Sequence, residues 1–286
     1  MLTTSFKSLS TAALITVAWV FGTIELIDTL RHFSTQWYWY IIALIYTITI
    51  NDLFVHICCG HNIYPIDTTR PGYKILSFLA TVDNAWGPIS SMCLVHGNHH
   101  MYADQGNKDV SNWRIHWYNM GIISPINFIY QAATVFPNAD QYFARQRRLF
   151  KDILDDTWLW FIEEYSHVFT LIFWCLLYWL CPVILFKVIF MGRVIMSLFT
   201  LLPGMLGHTW IPGGYRNFKT PDTSYNNLLI HYFCLCIYPT VLQNNHHGQI
   251  YSLKTGHRYR WFELDLSVYI VRLIKKITEK RNVNNT

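Results

Sequence analysis

Residues Trp37 to Val55 read WYWYIIALIYTITINDLFV and run without a break into His56-Ile-Cys-Cys-Gly-His61. A stretch this apolar is close to the ~20 residues needed to cross the hydrocarbon core of a bilayer, and it delivers two imidazoles at its far end. It opens on Trp and Tyr, the side chains that settle at membrane–water interfaces. Upstream, Thr11 to Ile27 (TAALITVAWVFGTIELI) is a second apolar stretch. It lacks a small-residue cleavage site and carries Glu25, so it reads as a span rather than a cleaved signal peptide. Downstream, a further pair runs from about Ser166 to Leu180 and from about Val183 to Gly207, broken near Cys181 and Pro182. The expectation is an all-α membrane protein of one domain. Four transmembrane helices (11–27, 37–55, 166–180 and 183–207) form two hairpins, and residues 56–165 and 208–286 form a helical cytoplasmic cap.

Composition agrees with this outline. The 286 residues are 52% hydrophobic and only 14% charged, with a mean hydropathy of +0.20, against about 25% charged residues in ordinary soluble domains. The net charge of +5 is not a nucleic-acid footprint. Of 22 Lys and Arg, eight lie in residues 56–165 and ten in 208–286, which by the positive-inside rule places both polar segments on the cytoplasmic side. The seven cysteines show no Cys-x-x-Cys spacing and lie mostly in apolar runs, as expected of buried free thiols in a reducing compartment. Residues 75–95 are apolar but interrupted by Asp83, Asn84, Gly87 and Pro88, which favours an interfacial helix over a fifth span. Residues 268–277 alternate apolar side chains with Arg272, Lys275 and Lys276, the pattern either of a basic helix against the inner leaflet or of an ordinary amphipathic helix packed on the chain itself.

The anomaly is histidine, with 13 against 17 Asp plus Glu. His56 and His61 are five residues apart, about 140° around an α-helix, and meet one site only if the helix ends or bulges between them. In His96-Gly-Asn-His99-His100 the i, i+3 and i+4 spacing sets three imidazoles along one helix face. A third cluster reads Gln243-Asn-Asn-His246-His247, and His208 stands alone after the last apolar stretch. The topology brings all eight histidines to one rim of the bundle. Eight ligands are too many for one metal and suit two. All-nitrogen donors exclude Mg and Ca and leave iron, with zinc as its competitor. A site open to acyl chains faces unactivated C–H bonds, whose cleavage requires an oxidant made from O2, and that favours iron. His32, His116, His167, His231 and His257 read as structural or solvent-facing.

These motifs resemble the membrane fatty acid desaturase family, in particular its stearoyl-CoA and bacterial acyl-desaturase branch, over about His56 to Leu273. His56 and His61 match a first His-x-x-x-x-His box. His96, His99 and His100, followed by Asp104 and Asp109, match a second, His-x-x-His-His box. Gly87-Pro88, the isolated His208 before Gly214-Tyr215-Arg216, the Asp222 to Asn227 stretch and Trp261-Phe-Glu263-Leu-Asp265 are similar as well. The resemblance implies a mushroom-shaped four-span desaturase. Its two iron ions would be held by His56, His61, His96, His99, His100, His208, His246 and His247, with O2 as co-substrate and a fatty acyl chain as substrate. Trp113, Trp210, Tyr215 and Trp261 would line the acyl tunnel or its mouth. Arg216, with Lys219, Arg145, Arg147 and Arg148, would meet the phosphates of a CoA carrier; a carrier protein or a lipid-linked acyl group stays open. No His-Pro-Gly-Gly haem motif is present, so electrons are expected from a separate ferredoxin or cytochrome. The chain departs from the pattern at Gln243, where the third box usually begins with His and where Gln can still offer an oxygen. It also departs at Gly204, in place of an Asn, and at Ile57 and Gly97, in place of Arg. Hydroxylation or triple-bond formation, and a non-catalytic metal- or lipid-binding role, stay open beside desaturation.

Overall fold

The computed structural model describes residues 33–83, 89–105, 108–109, 148–180, 207–210 and 212–280. Among them the chain is mostly helical and forms no β-strand, only isolated bridges such as Ile66 with Glu279. Helix α1 (Phe33–Thr47) continues directly into a π-helical segment, Ile48–Gly60. Helices α2 (Pro71–Asp83) and α3 (Ile89–Tyr102) follow, then α4 (Lys151–Leu154), α5 (Thr157–Glu164), α6 (Ser166–Leu180), α7 (Leu228–Phe233), α8 (Gln243–Gly248) and α9 (Ser267–Thr278).

The π segment is the centre of the molecule. Every residue from Ile48 to Gly60 except Thr49 is buried, and α2, α3 and α9 pack around it. Leu53, Phe54, Ile57, Cys58 and Cys59 form one hydrophobic cluster with Tyr73 of α2, Ile89 and Cys93 of α3, Leu159 and Ile162 of α5 and Val271 and Ile274 of α9. The buried Cys58, Cys59, Cys93, Cys234 and Cys236 are free thiols, as their apolar settings in the sequence imply. The short helices are fixed by local caps. Asp156 accepts from Leu159 N at 3.0 Å to start α5, and Asn227 accepts from Ile230 N at 3.0 Å to start α7, each satisfying an amide that a helix start leaves unpaired.

Among the described residues, Ile41–Gly60 is the helix long and apolar enough to cross a membrane by length and composition. The expected span 37–55 lies within α1 and the π segment, whose apolar run extends to Gly60. Helix α6 coincides with the expected span 166–180, but its apolar part, Val168–Leu177, is shorter than a bilayer requires. The expected spans 11–27 and 183–207 lie outside the described residues. Helix α2 runs to Asp83 and α3 from Ile89, and the interruption read between them, at Asn84, Gly87 and Pro88, lies outside the described residues.

The start of α3 is held from outside by Glu163 of α5. Ser90 N donates to Glu163 Oε1 at 3.1 Å and Ser90 Oγ to Oε2 at 2.5 Å. Burial pushes the Glu163 carboxyl up to about 7 from an ordinary 4.5, with the Ser90 bonds pulling the other way. A raised folded-state value means that the native protein keeps a proton the unfolded chain has released. The stability this group contributes is therefore complete below about pH 4.5 and lost as pH rises to about 7. Urea unfolding of the wild type should weaken across that window, and Glu163→Gln should flatten the slope. An unchanged slope would refute the assignment.

Candidate metal centre

Two short helices supply most of the centre, and each serves two sets of ligands. On α3, His96 and His100 are four residues apart and share a face, while His99 sits about 60° to the side. On α8, Gln243 and His247 share a face and His246 lies to the side by the same geometry. The first set gathers His56, His61, His96 and His246, whose ligand atoms lie within 4.8 Å of one another. His96 Nε2 is its hub, at 2.8 Å from His56 Nε2, 2.9 Å from His61 Nε2 and 2.9 Å from His100 Nε2. His100 Nε2 is also 3.0 Å from His246 Nε2. The second set gathers His99, His208 and His247. Ring centroids are 5.1 Å apart for His99 and His208, 5.0 Å for His99 and His247 and 4.8 Å for His208 and His247. His100 stacks on His247 at 4.5 Å and joins the two sets.

His56 and His61 meet because the helix between them is π-helical. A hydrogen bond closing over five residues, seen from His61 N to His56 O at 3.1 Å, brings i and i+5 onto nearly one face. The condition set by the spacing is met by winding rather than by a break at Gly60. His61 itself is the capping residue.

Carboxylates stand behind the imidazoles. His56 Nδ1 donates to Asp52 at 2.8 Å, His99 Nδ1 to Asp109 at 3.0 Å, His208 Nδ1 to Asp104 at 3.1 Å, and His247 Nδ1 lies 3.2 Å from Asp222. Asp104 and Asp222 are held ionised, and an ionised carboxylate only accepts, so His208 and His247 carry their protons on Nδ1 and turn Nε2 lone pairs inward. Two such nitrogens facing each other repel unless a cation or a donor lies between them. Burial drives His61 down to about 3 and His247 to about 4, the latter against the pull of Asp222. Burial also drives His96, His100 and His246 well below the usual imidazole range. They are neutral at physiological pH, the form a metal requires. His99 is the exception. Burial alone would lower it, but the hydrogen bond and charge of Asp109 outweigh burial and raise it. For Asp104 and Asp222 burial acts upward, yet the contacts with His208 and His247 hold both carboxyls well below their ordinary range. Asp104 adopts φ +63° and also accepts from Thr223 N and Oγ1, each at 2.8 Å.

Gln243 lies in the second set. Its Nε2 is 3.1 Å from His208 Nε2 and 3.0 Å from His247 Nε2, while its Oε1 is buried with no hydrogen-bond partner. Rotating the amide by a half turn exchanges the two atoms, satisfying the orphaned oxygen on a cation among the same nitrogens. The donor set, the Nδ1 partners and this orphaned oxygen fit a bound metal ion. Buried His and Asp groups here can hold a metal ion.

Two participants are not singled out by the sequence reading. Asp52 is fully buried within the apolar helix and accepts from Thr240 Oγ1 at 2.6 Å as well as from His56. The signal was its i−4 spacing from His56. His257, read as structural or solvent-facing, is buried with Nε2 3.0 Å from His246 Nδ1, standing where the other backed rings use a carboxylate. No spacing rule reveals it, because the turn that carries it is irregular. Glu263 fastens this turn. It is fully buried and accepts from Tyr215 Oη at 2.6 Å, Asn217 Nδ2 at 2.6 Å, Asn245 Nδ2 at 3.0 Å and Tyr259 N at 2.8 Å.

The expected substrate residues are scattered. Tyr215 is engaged with Glu263, and the Arg216 guanidinium is spent on Asp222 O at 2.8 Å and on Thr220 O at 2.9 Å and Oγ1 at 2.8 Å. Trp210 and Trp261 are 62% and 81% exposed. Trp113, Gly204, Arg145 and Arg147 lie outside the described residues. Compared with protein-family models and with curated proteins, the chain matches none.

Proposed function

We propose that the chain is an O2-dependent acyl desaturase that holds two iron ions among its eight histidines. The observation that carries this reading is the pair of adjoining ligand sets, four of whose imidazoles have a carboxylate at Nδ1. Two iron ions bound there would supply the O2-derived oxidant that an unactivated acyl C–H bond requires. The balanced reaction converts –CH2–CH2–, O2, two electrons and two protons into –CH=CH– and two waters. The chain's own residues bind and orient. Asp52, Asp104, Asp109 and Asp222 fix the tautomers, and Gln243 completes the second set in place of an imidazole. The centre sits at the end of the apolar helix Ile41–Gly60, where an acyl chain lying in a bilayer can reach it.

In this reading the protein is a multi-pass membrane protein with its catalytic face in the cytoplasm, in a bacterial inner membrane or the endoplasmic reticulum. The distribution of Lys and Arg supports that orientation. Electrons come from a separate ferredoxin or small cytochrome. The test is expression in cells with a competent electron donor, followed by analysis of total fatty acids for new double bonds. New hydroxyls or triple bonds would redirect the reading to a related di-iron enzyme. An amide at Gln243, where an imidazole would be a stronger donor, favours non-catalytic metal binding as the competitor. Clearly fewer than two irons per chain after anaerobic reconstitution would decide for it.

A further inference from the structure

Helix α9 is apolar on two sides. Val268, Val271 and Ile274 face the core, yet Tyr269, Leu273 and Ile277, at i, i+4 and i+8 on the other side, are 66%, 61% and 38% exposed. Beside this stripe Arg272 and Lys276 are four residues apart on the helix, and Lys280 follows just beyond its end; all three are exposed. The acid nearest this end of the helix, Glu279, is neutralised by Lys275 at 2.7 Å. A helix packed on its own chain in water has no use for a second apolar stripe, whereas a stripe rimmed by cations is what an anionic bilayer surface takes up.

The position of α9 is set by the candidate span. The helix packs against the π segment, and its C-terminus is sewn to the first residues that leave it. Asp67 N donates to Thr278 O at 2.8 Å, Lys280 N to Pro65 O at 3.1 Å and Arg70 Nη1 to Glu279 O at 2.9 Å, while Tyr64 Oη is 2.9 Å from Thr278 Oγ1. Gly72 lies so close to the Ile277 backbone that a Cβ there would collide with it, which keeps α9 pressed on α2. The end of α9 is thereby fixed a few residues from Gly60, the last residue of the candidate span.

We propose that α9 lies on the surface of the bilayer that Ile41–Gly60 crosses, with Tyr269, Leu273 and Ile277 in the acyl–headgroup boundary and Arg272, Lys276 and Lys280 against anionic headgroups. The proposal rests on Ile41–Gly60 as a span and is independent of the metal chemistry. The test places an environment-sensitive NBD fluorophore on Leu273→Cys, and separately on Tyr269→Cys, in the full chain with Cys175→Ser and Cys181→Ser. The protein is reconstituted in nanodiscs of phosphatidylcholine, with or without phosphatidylglycerol. Expected are a blue shift at both positions and loss of most of the emission when the lipids carry a nitroxide near the carbonyls. Both effects should be stronger in anionic discs and should weaken when Arg272, Lys276 and Lys280 are changed together to Glu. Emission at the aqueous wavelength would overturn the proposal, as would a blue shift insensitive to the lipid nitroxide, which would mean coverage by another protein or a second copy. A chain recovered outside the discs would overturn the span and the proposal with it, whereas a retained chain with a water-exposed label would overturn the proposal alone.

Discussion

His246→Ala should empty the first ligand set, halve the iron bound per chain and abolish product formation while leaving membrane insertion intact. His246 is buried, its ring lies 4.9 Å from that of His56 and 4.7 Å from that of His61, and its Nε2 is 3.0 Å from that of His100. Alanine therefore removes a donor from the middle of the set, and no neighbouring side chain replaces it. His99→Ala should do the same to the second set. A graded control is His257→Ala, which leaves every nitrogen donor in place and removes only the ring behind His246. Loss of such an outer partner typically costs ~10–100-fold in metal affinity, so the variant should still load iron when iron is in excess. Metal analysis and fatty acid profiles check the series. Full iron content with full turnover in His246→Ala or His99→Ala would sink the ligand assignment.

Gly256→Ala should lower stability by about 3 kcal/mol, from a left-handed backbone costing ~1–2 kcal/mol and overpacking costing ~1–3 kcal/mol. Gly256 has φ +65°, and a Cβ there would collide with the Asp265 carboxylate. Neither partner can yield cheaply. Gly256 exchanges two backbone hydrogen bonds with Ser252, at 3.0 and 2.7 Å. Asp265 Oδ2 accepts from His257 N at 2.9 Å and Oδ1 from Ser267 N at 3.0 Å. For a chain of this size the expected fall in Tm is roughly 5–10 °C. Because the same turn carries His257, metal retention should weaken alongside. Gly213→Ala provides the comparison. Gly213 has φ +84° but open space around it, so only the backbone term applies, about 1–2 kcal/mol. Equal melting of the two variants would refute the steric argument at Asp265.

The helical character and the convergence of the histidine clusters were legible in the sequence, because each rests on local periodicity or short spacing. The structure brings together all eight histidines named from spacing, along with Gln243. What could not be read is how His56 and His61 meet. The spacing stated the geometric condition, but α and π winding have the same composition, and tertiary packing selects between them. The partners behind the imidazoles were half legible. Asp104 and Asp109 follow the second cluster closely, while Asp222 and His257 reach the centre through irregular chain whose course depends on the hydrogen bonds of Glu263, Asn244 and Asn245.

The sharing of α3 and α8 between the two ligand sets has a mechanical consequence. Each helix acts as a common axle, so a twist that advances His96 and His100 also moves His99, and a twist of α8 that carries His246 carries Gln243 and His247 with it. Neither ligand set can be retuned alone by repacking one of these helices. Inserting one residue between Gln243 and His246 would turn the later ligands by about 100° and put both sets out of register at once. Variation confined to one set has to come from His56, His61 or His208, the three ligands carried by neither axle.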